Sequence, residues 1–132
     1  MQFGRFSLKR LAYSDVYVLR GLSIPKPDSL QGSLDLLVLK ILSRRGRLHG
    51  YAIMSAIQDI SGEVLRVEEG SLYPALHRME QSSWIKSEWA LTETGRKAKY
   101  YRLTAAGQKQ LAEAEKSFEQ LVKGIRAMLR YA

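Results

Sequence analysis

Between Ala105 and Leu129, apolar side chains fall on two interleaved series: Leu111, Phe118 and Ile125 are seven apart, as are Ala114, Leu121 and Met128. That spacing marks the a and d positions of a coiled coil and draws one narrow stripe along a helix. A stripe on a protruding helix stays wet unless a second helix covers it. Residues 105–132 are therefore expected to form a long arm that pairs two copies of the chain.

Upstream of the arm, the punctuation of the sequence predicts three shorter helices and a hairpin. Ser33 is the expected N-cap of a first helix, with Asp35 in its first turn and a stop at Arg44, Arg45 and Gly46. Leu34, Leu37, Val38, Ile41 and Leu42 recur at helical spacing, while Leu36 and Leu39 lie on the other side, as if that side also met a partner. A second helix is expected to start after His49-Gly50 and to stop at Gly62, with Val64–Val67 extended beyond it. A third lies within EEGSLYPALHRMEQSSW. Taking Ser71 as its N-cap puts Pro74 in the first turn, where a missing N–H is tolerated, although Glu68 and Glu69 suit the positive end of a helix that starts earlier.

Two strands follow, Trp84–Trp89 and Ala98–Leu103, joined by a loop holding Thr92, Glu93, Thr94 and Gly95. Alternation turns Ile85, Tyr101 and Leu103 inward and Lys86 and Arg102 outward. Trp84 and Trp89 are expected to anchor the strands to the core, and Thr104 to cap the last helix. Residues 1–30 look like a separate, poorly ordered leader: Val16–Leu22 is a short helix or strand, and Pro25 and Pro27, with Ser23, Asp28 and Ser29, mark a linker.

Three short helices, a two-stranded hairpin and one long helix describe a mainly α chain with a small β-hairpin. This is a winged helix-turn-helix over residues 31–104 with a C-terminal dimerisation helix. In such a fold the third helix enters a DNA major groove and the hairpin, the wing, lies on phosphates or in the neighbouring minor groove. Charge is distributed to match. The net charge is +8; residues 31–90 carry seven basic and seven acidic side chains, while residues 91–132 carry nine basic against four. The positive field thus sits on appendages around a neutral body, as suits a polyanion partner. There is no cysteine, and the two histidines, His49 and His77, have no HExxH-like spacing, so no metal site, cofactor or enzymatic activity is expected. No nucleophile elbow or glycine-rich phosphate loop occurs either. The longest apolar run, Leu36–Leu39, is far too short to span a bilayer, and a cytoplasmic location is expected.

Three segments carry a family resemblance: GSLDLLVLKILSRRGRLHGYAI, RVEEGSLYPALHRMEQSSWIKSEW and GRKAKYYRLTAAG, in that order over roughly residues 30 to 113. Together they resemble the PadR family of bacterial transcriptional regulators, in the branch with a single C-terminal helix. The resemblance implies a homodimeric DNA-binding regulator, commonly a repressor, released by a small-molecule effector or another signal. It says nothing about the leader.

Within this frame the expected DNA-facing residues are Tyr51, at the start of the second helix; Ser71, Tyr73, His77 and Arg78 on the third; and Arg96, Lys97 and Lys99 on the wing. Arg78 is the expected reader of guanine, and the wing cations the expected phosphate contacts. The expected dimerisation set is Leu36, Leu39, Leu111, Ala114, Phe118, Leu121, Ile125 and Met128. Double-stranded DNA with a pseudo-palindromic operator is the expected partner. A winged helix that docks a protein, or one that binds RNA, is the alternative.

Overall fold

The computed structural model describes Lys9–Arg10, Val16–Leu19, Leu22–Pro25 and residues 30–132, with side chains from Ser33 onward. It divides into two units, residues 1–33 and 34–132. In the first, β1 (Lys9–Arg10), β2 (Val16–Leu19) and β3 (Leu22–Pro25) form an antiparallel sheet in that order. Lys9 pairs with Val18, and Leu19 with Leu22. The expected linker is thus partly strand: Ser23 and Pro25 belong to β3, with Pro25 ending an edge strand, where its missing N–H does no harm. Pro27, Asp28 and Ser29 lie outside the described residues.

Helix α1 (Leu30–Arg45) begins three residues before Ser33, which is therefore a helical residue and not the cap. Asp35 is accordingly beyond the first turn, and its carboxylate is used by tertiary structure instead, as shown below. Both sides of α1 are covered within the chain: Leu34, Val38, Leu39, Ile41 and Leu42 are all buried, and Leu36 and Leu37 pack against them. Leu39, expected to meet a partner, is 1% exposed and has no surface left to offer one.

Strand β4 (Leu48–His49) leads directly into α2 (Gly50–Ile60), whose N-cap is His49: its Nδ1 accepts the Ala52 N–H at 3.2 Å. Past α2 the chain turns through Gly62 and Glu63, both at positive φ, and the Ser61 hydroxyl accepts the Leu65 N–H at 2.9 Å. This leaves Val64–Val67 as irregular chain with no strand.

Helix α3 (Glu69–Gln81) starts earlier than a Ser71 cap allows. Glu68 is the N-cap residue; its carbonyl accepts from Ser71 and Leu72, and Glu69 sits in the first turn near the positive end of the helix. Pro74 lies inside the helix, beyond its first turn, so the Gly70 carbonyl lacks the N–H that would otherwise meet it.

Strands β5 (Ile85–Leu91) and β6 (Lys97–Leu103) pair antiparallel from Ile85↔Leu103 to Leu91↔Lys97. The short β4 joins the far side of β6 through Tyr101 and Tyr100, so the sheet has three strands, in the order β4-β6-β5. A two-residue strand has too little pattern to be read from sequence. Ile85 and Tyr101 are buried and Leu103 packs against the core, as alternation requires.

Thr104 caps α4 (Ala105–Leu129) by accepting the Gly107 N–H at 3.0 Å. Its hydroxyl also lies 2.7 Å from the Ser83 carbonyl and 3.0 Å from that of Trp84, so one side chain ties the arm to the α3–β5 turn. Gly107 then passes so close to the sheet that a Cβ there would stand 2.0 Å from the Trp84 carbonyl oxygen. Leu111, expected in the dimer seam, is 4% exposed and enters the chain's own core because this close approach presses the first turns of α4 onto the domain. Farther along, Ala114 is half-buried, and Phe118, Leu121, Ile125 and Met128 are exposed. An ion pair of 2.9 Å between Lys40 and Glu115 joins α1 to α4. Among the described residues, no helix is long and apolar enough to cross a membrane.

Candidate nucleic-acid interface

The core takes Leu72, Ala75, Leu76 and Met79 from α3, which leaves Ser71, Tyr73, Pro74 and His77 on the exposed side. Arg78 is at the edge of that face. One of its guanidinium nitrogens lies 3.3 Å from Asp35 Oδ1 on α1, and both side chains are partly covered. The expected bidentate guanine reader is therefore occupied, with its fork turned toward α1. This pairing over a separation of 43 residues has no local signal in the sequence.

On the other flank of α3, Tyr73 is 44% exposed, and its ring lies over the first residue of α2. A Cβ on Gly50 would meet the Tyr73 hydroxyl at 2.6 Å, so glycine there lets the phenol rest on the α2 backbone. Tyr51, the next residue, points out at 68% exposure. Behind it, the His49 ring stands edge-on to Tyr100, 5.3 Å between centroids, and the Arg47 guanidinium covers Tyr100 at 4.5 Å. Arg47 also pairs with Glu88 at 2.5 Å. His49 is thus a cap and a packing residue, a use the sequence hides because histidine is a rare N-cap.

The wing tip is braced from within. Thr92 N–H donates to the Arg96 carbonyl at 2.7 Å, Gly95 N–H to the Thr92 carbonyl at 2.9 Å, and Arg96 N–H to Thr92 Oγ1 at 3.2 Å. Arg96 and Lys97 are exposed, and among the described residues neither has a carboxylate partner. Lys99 differs: its Nζ lies 3.4 Å from Glu80 Oε1 on α3 and 5.8 Å from the Tyr101 ring centroid. The expected triplet of wing cations therefore divides into two free charges at the tip and one that docks the wing onto α3.

Glu80 holds this junction, accepting from the Ser87 hydroxyl as well as from Lys99. The Ser87 hydrogen bond, opposed by partial burial and helped by Lys99, holds its carboxyl below the ordinary 4.5. Burial, with the Glu80 charge and Tyr73 adding to it, pushes the Tyr101 phenol above its ordinary 10.0. Because the folded-state pKa of Glu80 is depressed, its stabilising contribution is present above 4.5 and is lost as pH falls through the folded value. Thermal unfolding followed on acidification should accordingly show a steeper decline in the native protein than in Glu80→Gln. Parallel curves would contradict the junction.

Tyr51, Tyr73, Trp89, Thr92, Arg96, Lys97 and Lys99 line one open groove of about 840 Å³, which brings the start of α2, one flank of α3 and the wing together. Ser71, His77 and Arg78 lie outside it. Trp89, expected as a core anchor, is 67% exposed, whereas Trp84 does pack against the core. The inward face of β5 is set by Ile85. Four residues on, roughly 13 Å along the strand, the same face has run past what α3 covers.

The family model for the Transcriptional regulator PadR-like family matches residues 38–113, from within α1 into α4. Transcriptional regulator Rv3488 of Mycobacterium tuberculosis is 37% identical over 68 residues, 52% of this chain and 63% of that protein. Among solved structures, a transcriptional regulator from Clostridium thermocellum superposes with a TM-score of 0.71 at 30% identity, covering 78% of this chain and 99% of the other. A PadR family transcriptional regulator from Eggerthella lenta gives a TM-score of 0.67 at 31% identity, covering 79% and 88%.

Proposed function

The chain belongs to the transcriptional regulator PadR-like family, whose members are regulators and not enzymes, and on that premise we propose that it is a homodimeric, sequence-specific DNA-binding protein. The observation that carries the proposal is the shared groove just described, in which the Tyr73 flank of α3 lies beside a wing whose tip holds two cations without a carboxylate partner among the described residues. A helix fits the major groove, where donors and acceptors distinguish all four base pairs, and cations on a braced loop fit phosphates or the adjoining minor groove.

Each part then has its own task. Ser71, Tyr73 and His77 face the bases and the groove walls, and Tyr51 offers its hydroxyl to a phosphate. Arg78 first sets the lean of α3 against α1 through Asp35; it reads a base only by exchanging that carboxylate for guanine. Lys99 holds the wing in place for Arg96 and Lys97. Two copies joined along α4 present two α3 helices to a pseudo-palindromic operator with half-sites about 34–36 Å apart. The bound dimer represses by occupying the site polymerase needs, and a small-molecule effector acts by changing the angle between the two heads.

Selection of bound fragments from the source genome, followed by anisotropy titration of a labelled winner across a salt series, tests this reading. Operator binding that weakens steeply with salt supports it. Equal affinity for random duplex, or preference for structured RNA, overturns it in favour of a protein-docking or RNA-binding winged helix. Replacing Arg96 and Lys97 together by alanine should weaken binding to every duplex and reduce the slope of log affinity against log salt by about 2 for each wing, about 4 for the dimer. A changed base preference with an unchanged slope would contradict the wing assignment.

A further inference from the structure

Alternation places Ile85, Ser87, Trp89 and Leu91 on one face of β5, and the register sets them opposite Leu103, Tyr101, Lys99 and Lys97 on β6. At the base of this face Ile85 and Tyr101 are in the core, and Ser87 bonds to Glu80 of α3. Beyond α3 the cover ends: Trp89 is 67% and Leu91 66% exposed. The outer half of the wing therefore carries an apolar strip on one strand and two lysines directly across on the other, with Arg96 at the tip. β4 pairs only with Tyr100 and Tyr101, so the Lys97–Lys99 segment of β6 has an open edge toward Tyr51.

A surface of this kind matches a ligand that alternates anionic and apolar groups at short range. A DNA strand does so, with phosphates separated by deoxyriboses whose faces are hydrocarbon. Of the groove's lining side chains, Arg96 and Lys97 are cations with no carboxylate partner among the described residues, Lys99 is a cation paired with Glu80, and only Glu93 is acidic, which leaves the groove positive and gives the charge complementarity. Resting on the DNA-binding reading above, the geometry points to Trp89 as a DNA contact in its own right. Its indole packs on the sugar wall of the minor groove while Arg96 and Lys97 hold the phosphates on either side, and Leu91 extends the apolar contact toward the tip. Trp89 thus adds affinity through burial of hydrocarbon, without releasing counterions and without reading bases.

The two kinds of contact separate experimentally, because an apolar contact releases no counterions. Trp89→Ala should weaken binding about tenfold for operator and random duplex alike, with the salt slope unchanged. Only two tryptophans are present, and Trp84 is packed against the core, so a change in tryptophan emission on adding duplex should come from Trp89. That change should saturate together with the anisotropy of a labelled duplex and disappear in Trp89→Phe, which keeps most of the affinity. An emission change retained in Trp89→Phe, or Trp89→Ala binding as tightly as the native protein, overturns the assignment. Absence of any duplex binding by anisotropy overturns the functional reading beneath it.

Discussion

Gly107→Ala is expected to destabilise the winged domain by about 3 kcal/mol, the upper range for forcing extra volume into a packed site. The added methyl would stand 2.0 Å from the Trp84 carbonyl oxygen and 2.7 Å from Leu103 Cδ1. Of these neighbours only the leucine can turn aside. The carbonyl belongs to backbone that also receives the Thr104 N–H at 3.0 Å, and the Thr104 hydroxyl binds the same turn. Relief therefore means lifting α4 from the sheet, which breaks the cap and withdraws Leu111 from the core. Against a typical domain stability of about 5–15 kcal/mol, such a loss is large. Urea denaturation measures it, with Gly124→Ala in the same helix as the control. There a Cβ meets nothing, and alanine should add about 0.5–1 kcal/mol of helix stability. Equal stability of Gly107→Ala and the native protein would show that α4 does not lie on Trp84 as described.

Leu121→Glu should have the largest effect on function. Leu121 is 53% exposed on its own chain, at the centre of the stripe that runs through Phe118, Ile125 and Met128, so a carboxylate there leaves the protomer's core untouched. In a helical seam it would be buried without a partner, a penalty that outweighs what the remaining apolar pairs contribute. Sedimentation should find a dimer for the native protein and monomers for the variant, with helical content by circular dichroism close to native. Operator affinity should fall on the order of 10²–10⁴-fold, because one reading head then binds without the effective concentration its twin provides. A variant that stays dimeric would place the interface elsewhere.

Much of this was legible in the sequence because it is local. The helix over Ala105–Leu129, the Thr104 cap and the alternation of Ile85 and Tyr101 are periodic or adjacent features, and the structure bears them out, while Leu111 leaves the expected seam for the core. The family resemblance, expected over roughly residues 30 to 113, is matched over 38–113. The start of α1 lies at Leu30 and not after a Ser33 cap; of the two starts the sequence allows for α3, at Ser71 or earlier at Glu68 and Glu69, the structure takes the earlier, with Glu68 as N-cap residue. The candidate site was half legible. Tyr51, Tyr73, Arg96 and Lys97 do line one groove, but Arg78 and Lys99 are held by Asp35 and Glu80, and Trp89 is outside the core.

What the sequence determined by itself is the set of elements, their order, the family, and where positive charge collects, because each depends on residues within a few positions of one another. Tertiary structure alone decided which side chains those elements leave available. Leu39 and Leu111 were claimed by the core, Arg78 and Lys99 by carboxylates on other elements, and Trp89 was left uncovered where β5 outruns α3. Exposure and ion pairing depend on what arrives from distant parts of the chain, and periodicity along one element is silent about its neighbours.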